Sequence, residues 1–329
     1  MQTQKVWTGL RVAFFAATFC ALAAAGLSTV TAQQAPVKIG VVLPLSGDLE
    51  DLGRPVKQAA ELAASHINEQ GGLLGGRRLE LVFVDDATDA AVALAEARRL
   101  VEQEDVSAII TGSSDSTLRV AAGVSVPNRI VHLSLASSDL ISRLDDDDYV
   151  FRVAPTDAHQ GVAMAELARN LGYSQVAVFY VDNDYGRSLV RYFSENFQRL
   201  GGRVSASAAF AMGRPTYREE LEQLAASGAE ALVLIGYPVT GITIVRDALT
   251  HGYFDKFIFG DSLAAPALIE PFGNALDGSF GVAAVSDEWP GFKEIQRDYA
   301  ERYGEPAQIA FFQGMYDAVF LLALAMEQA

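Results

Sequence analysis

Cysteine is nearly missing from this chain: Cys20 is the only one among 329 residues. It lies inside an N-terminal leader, so a chain that loses the leader has no disulfide, no thiol nucleophile and no cysteine-built metal site. Histidine is scarce too. His66, His132, His159 and His251 stand far apart without ligand spacing, and no metal is expected. Basic residues are in deficit, 25 Lys and Arg against 41 Asp and Glu, for a formal charge of −16. Such a surface repels phosphate backbones and argues against a nucleic-acid partner. Catalytic signatures are also absent. There is no G-x-S-x-G, no G-x-G-x-x-G after a strand, and no His beside a Ser/Asp set.

The N-terminus carries an apolar run behind a positive leader. MQTQKVWTGLRVAFFAATFCALAAAGLSTVTAQQAP joins a positive leader (Lys5, Arg11) to an apolar run, Val12 to Leu27, and a small-residue site, Val30-Thr31-Ala32. That is the build of a secretory signal peptide, with cleavage expected after Ala32. A membrane anchor is the alternative, but the run is short and diluted by Ala, Gly and Thr. Lipid attachment at Cys20 would need a small residue before it, and Phe19 stands there. The expectation is an exported, soluble protein of the periplasm. The leader holds two basic residues and no acidic ones, so its loss moves the net charge from −16 to −18. About 297 residues remain, more than one typical core holds, which points to two domains.

What is present is alternation. KIGVVLPL is Val/Ile/Leu-rich without a period of two, as expected of a strand buried on both faces. A helical face follows (Val56, Ala60, Ala63, Ile67), then RLELVFVDD as a strand and DAAVALAEARRLVEQ as a helix. VSAIITG and RIVHLSL supply two more strands. The theme restarts with QVAVFYVD, a helix from Tyr185 to Leu200, and RVSASAAF. A helix from Thr216 to Ala226 with a Thr216/Glu219 capping box, EALVLIG, a helix from Val239 to His251, and KFIFGD continue it. Two such series predict two doubly wound α/β lobes with parallel sheets.

GGLLGGRR (Gly71 to Arg78) is near the phosphate loop in letters, but its place is wrong. A phosphate loop follows a strand and opens a helix, whereas this stretch follows a helix and enters a strand. It reads as a helix stop and a turn. Asp145 to Asp148 reads as a solvated loop rather than a calcium site. Asp85-Asp86 ends a strand; neighbours there point to opposite faces, so a capping and loop role is expected over an acid/base dyad.

In open parallel sheets, ligands meet the loops at the carboxyl ends of the strands. Four such loops, PLSGDLEDLG, TGSSDST, SLASSD and NDYGRS, offer short hydroxyls and helix-start amides that suit a carboxylate. Each serine alone could be an N-cap. As a set converging on one cleft, they read as a binding site.

The motifs IGVVLPLSG, INEQGGLLGGRRLELVFVDDATD, FRVAPTDAHQG and VDNDYGRS make the chain, from about Val37 onward, resemble the leucine/isoleucine/valine-binding family of type I periplasmic binding proteins. The resemblance implies two Rossmann-like lobes joined by three crossovers, closing on a ligand in the cleft between them. It implies lobes of residues 37–154 plus 286–329 and 155–285. The ligand contacts it carries over are Ser116, the backbone at Leu135 and Ala136, and Ser137 in the first lobe. In the second lobe they are Tyr185, Tyr237 and the acid Asp261, set to meet a ligand ammonium. The implied function is non-enzymatic capture of an amino acid or related small carboxylate or amide, without a cofactor. Partners would be the permease and ATPase of an ABC importer, with the receptor itself a monomer. An exported sensor for a signalling partner is the second reading, and an enzyme on the same fold the third.

Departures from the family's pattern matter here. Its first-lobe disulfide positions read Thr88 and Asp115, a cysteine-free variant. Leu52 stands where an aromatic often covers the ligand, and Asp115 adds a carboxylate near the anchor. Both changes put branched-chain amino acids in doubt as the ligand. The family's third crossover and closing elements would follow Gln328, so a shortened sequence is expected.

Overall fold

Val37–Leu43 (β1) lies beside Leu79–Asp85 (β2) on one side and Ala108–Thr111 (β3) on the other, every pairing parallel. Val131–Ser134 (β4) and Val150–Arg152 (β5) complete a sheet of order β2-β1-β3-β4-β5. The computed structural model describes residues 34–284, 290–304 and 311–329; the expected leader and its cleavage site lie outside them. Helices Glu50–Glu69 (α1), Ala90–Glu104 (α2) and Ser114–Val120 (α3) follow the first three strands. Ile39, Val41, Ile109 and Ile110 are fully buried, as the unbroken apolar runs require of strands covered on both faces. Each such side chain contributes about 1.5–3 kcal/mol by leaving water.

The second sheet repeats the first. After Asp157–Asn170 (α4) come Gln175–Val181 (β6), Asp184–Arg199 (α5), Arg203–Phe210 (β7), Arg218–Ala225 (α6) and Ala231–Ile235 (β8). Pro238–His251 (α7), Phe257–Phe259 (β9) and Phe280–Gly281 (β10) follow. The order is β7-β6-β8-β9-β10, again parallel. In both sheets the first strand sits second from the edge, and the sense in which later strands are added reverses beside it. That reversal is a topological switch point, where the loops leaving neighbouring strands diverge and open a crevice.

Two glycines set the height of these loops. A Cβ on Gly53, in the first turn-and-a-half of α1, would sit 1.9 Å from the Pro44 carbonyl oxygen. A Cβ on Gly186, in the first turn of α5, would sit 2.0 Å from that of Val181. Each helix start is thus pressed onto the end of the strand before it, and only glycine fits.

GGLLGG ends α1 and turns the chain. Gly71 and Gly72 have φ of 110° and 77°, Gly72 N–H donates to Ile67 O at 3.0 Å, and Leu73 and Arg77 bridge antiparallel. Asn68 then ties the helix end to β2, donating to and accepting from Leu79 at 2.9 and 2.8 Å.

One local expectation fails. No capping box forms at α6, which starts at Arg218; the Thr216 hydroxyl accepts from Arg218 N–H at 3.3 Å and donates to Asp247 on α7 at 2.8 Å. The last two helices, Pro290–Tyr303 (α8) and Phe312–Gln328 (α9), pack on the first sheet. Tyr299, Phe312, Met315 and Val319 share a core with Ile39 and Ile110, and the Tyr299 hydroxyl donates to Gln58 at 2.6 Å. Among the described residues no helix is long and apolar enough to cross a membrane.

Candidate ligand-binding site

The loops after β1, β3 and β4 face those after β6, β8 and β9 across one cleft, about 520 Å³ of empty space including its mouth. Its first-lobe wall carries Leu52, Val56, Gly112, Ser113 and Ser114, together with Leu135, Ala136 and Ser137. The opposite wall is two stacked rings, Tyr185 and Tyr237, with centroids 5.7 Å apart and planes inclined by 15°. Asn183 donates to the Tyr237 hydroxyl at 2.8 Å while its Oδ1 caps α5 through Gly186 N–H at 3.0 Å. Both phenols are held well above their ordinary range, first by burial and then by nearby aspartates, so they stay neutral donors.

Asp261 is buried one layer behind the tyrosines. It accepts from the Tyr185 hydroxyl at 2.8 Å and from Ser262 N–H at 2.7 Å. It lines an adjoining chamber with Gln160 and His159, and Ser137 faces both spaces. Burial raises its pKa, opposed by the Gln160, Tyr185 and Ser262 hydrogen bonds. Near it lies Asp157, the first residue of α4, whose two carboxylate oxygens and the Oε1 of Gln160 have no hydrogen-bond partner of ordinary geometry. Desolvation pushes Asp157 up to about 7, eased by the hydroxyls of Ser188 and Ser137. Among the described residues no Lys or Arg lines either space. The site therefore offers short hydroxyls and loop amides on the first-lobe wall and buried acceptors behind the tyrosine wall.

Five of the expected contacts, Leu135, Ala136, Ser137, Tyr185 and Tyr237, thus line one cleft. Asp261 adjoins it through Tyr185. Ser116 does not line it: its hydroxyl donates to buried Asp86 at 2.8 Å. Ser113 is the N-cap of α3, so Ser116 falls a turn further along and points into the lobe. Ser113 and Ser114 take the cleft-facing positions instead. Their adjacency to the end of β3 was the available signal.

Asp85 and Asp86 brace these loops. Asp85 accepts from Leu45 N–H, Ser46 N–H, the Ser46 hydroxyl and Ala87 N–H at 2.6–3.1 Å, which lowers its pKa despite desolvation. Asp86, with its Ser116 and Thr88 bonds, is pushed up to about 6 by burial. The two neighbours thus serve the β1 and β3 loops separately. The exposed Asp145–Asp148 loop gathers no ligand set, and among the described residues no group of His, Cys, Asp or Glu is placed to hold a metal.

Two parallel lobes of one topology, with a cleft at their strand ends, define a type I periplasmic binding fold. Residues 36–329 match the periplasmic binding protein family, and the chain belongs to it, within its leucine/isoleucine/valine-binding type. It is similar to the leucine-binding protein LivK of Thermotoga maritima, 31% identical, with 89% of this chain and 83% of that one covered and a TM-score of 0.80. It also resembles Leu/Ile/Val-binding protein homolog 7 of Brucella abortus, 26% identical over 82% of this chain and 72% of that protein. The substrate-binding protein BasB of a chemotactic signal transduction system in Halobacterium salinarum is 26% identical, covering 88% of this chain and 70% of BasB. These relatives are solute-binding proteins rather than enzymes, and the family's place is extracytoplasmic.

Proposed function

We propose that the protein captures an amino acid, or a related small carboxylate or amide, between its lobes and delivers it to the permease and ATPase of an ABC importer. The observation that carries this reading is the pairing of walls. Short hydroxyls and helix-start amides on the first lobe suit a carboxylate, while the tyrosine pair with Asp261 behind it suits an ammonium. LivK, by its name a leucine binder, supports an amino acid of that size. The lobes comprise residues 37–154 with 286–329, and 155–285. The carboxylate docks first on Ser114 and Ser137, the loop backbone at Leu135 and Ala136, and the α3 amides. Tyr185, Tyr237 and Asp261 then cover it. Cleavage after Ala32 releases a monomer into the periplasm.

A thermal-shift screen over amino acids, amides, aromatic acids and short dicarboxylates tests the ligand class. One ligand from these classes should raise the melting temperature; a set of amines, sugars and nucleosides should not. Stabilisation only by the latter set would refute the reading. BasB favours a second reading, a ligand sensor for a signalling partner. Co-purification with a permease separates the two.

A further inference from the structure

Three first-lobe loops bound the cleft, and each contains the same short pattern: Ser46-Gly47-Asp48, Ser113-Ser114-Asp115 and Ser137-Ser138-Asp139. In all three the serine anchors the loop within its own lobe. Ser46 is bonded to Asp85, Ser113 caps α3, and the Ser137 carbonyl accepts from the Arg152 guanidinium on β5 at 3.2 Å. The aspartate two places on does the opposite and reaches the other lobe. Asp115 accepts from Asp184 N–H, the first amide of α5, at 3.1 Å. Asp139 accepts from the Tyr192 hydroxyl two turns further along that helix. Asp48 lies beside Thr240 in the first turn of α7, its Oδ2 buried without a hydrogen-bond partner of ordinary geometry. Beside it Leu49 and Leu52 are buried in the second lobe's core.

We propose that Asp48, Asp115 and Asp139 form a three-point clasp holding the lobes closed, and that they are positioning residues for ligand capture because each rides on a ligand loop. Two of the three docking points are helix starts, where free amides and the helix dipole favour a carboxylate. Asp139 instead uses a phenol, with Arg143 steadying it at 2.8 Å from its own lobe. A ligand that seats the loops thereby aims all three carboxylates. The Thr88 hydroxyl donates to the Ser46 carbonyl at 3.1 Å and accepts from Leu49 N–H at 3.2 Å, steadying the loop that carries Asp48.

The inference rests on the receptor reading only where ligand release is concerned, so the test reads closure separately. Spin labels at Arg98→Cys on α2 and Glu222→Cys on α6, in a Cys20→Ser background, report the interlobe distance without any ligand. The Asp48→Ala, Asp115→Ala, Asp139→Ala triple variant should lose the short-distance population, and the three Asn variants should recover part of it. Asp184→Pro removes the amide that Asp115 meets while leaving the first lobe intact. Position N1 tolerates proline, and Asn183 before it is already extended (φ −145°). Asp115→Ala and Asp184→Pro together should therefore widen the distance no more than either alone. With L-leucine as the probe, each alanine variant should release ligand roughly three- to tenfold faster. An unchanged distance distribution in the triple variant, or full additivity of Asp115→Ala with Asp184→Pro, overturns the clasp. If the triple variant opens but wild type ignores L-leucine and every member of the screen, the clasp stands and the receptor reading falls.

Discussion

Asp157 shows how much a single buried carboxyl shapes this molecule. It is fully buried without an ordinary hydrogen-bond partner, and its pKa rises from 3.8 to about 7. Native protein therefore keeps a proton that the unfolded chain releases near pH 4. The sign follows: this group's contribution to stability is present at low pH and is lost as pH rises between about 4 and 7. His132 works the other way. Burial lowers it to about 3 while Thr111 and Ser125 bond its two nitrogens, so its stability is lost as pH falls below the ordinary histidine range. Asp157→Asn copies the protonated acid. It should be more stable than wild type at pH 8 by an amount on the order of a few kcal/mol, with the gap closing towards pH 4. Urea melts at both pH values check this; an equal gap at both would contradict it. Residues of this kind were the least legible in the sequence. The family resemblance points to Ser116, but the cap at Ser113 decides which serine faces the cleft. Caps are fixed by backbone angles that a one-residue difference in loop length moves.

At the scale of elements the sequence was far more readable. Buried parallel strands must be unbroken apolar runs, and the helices between them must carry one apolar face, so both series stood out. The failed capping box at α6 marks the limit: Thr216 is tied to Asp247 on α7, a tertiary partner that no local pattern shows. The feature not visible in any pattern is the pressed contact between strand end and helix start. Gly53→Ala would drive a methyl into the Pro44 carbonyl and lift α1 off β1. We expect a loss of roughly 1–3 kcal/mol by chemical denaturation, the range for overpacking, together with weakened ligand binding through the displaced β1 loop. Gly291→Ala on α8, with open space around its Cβ position, is the control and should leave both unchanged. Equal losses in the two variants would show that the contact is not what matters.

The whole molecule is one topology used twice, and its function follows from the repetition. Each sheet opens a crevice beside its own first strand, and two crevices facing each other make a closed site that neither lobe has alone. The division of labour is chemical. In the proposed reading the first lobe's small hydroxyls and amides meet an anion, and the second lobe's aromatic surface and buried acid meet a cation. The central claim is that a zwitterion bridges them. Calorimetric titration of wild type and Asp261→Ala with the ligand found by the screen tests it most directly. Removing one partner of a buried charged pair costs on the order of 2–5 kcal/mol, so Asp261→Ala should bind an amino acid at least tenfold more weakly, at one ligand per chain in wild type. Equal affinity in the two proteins would contradict the account and leave a simple carboxylic acid or amide as the ligand.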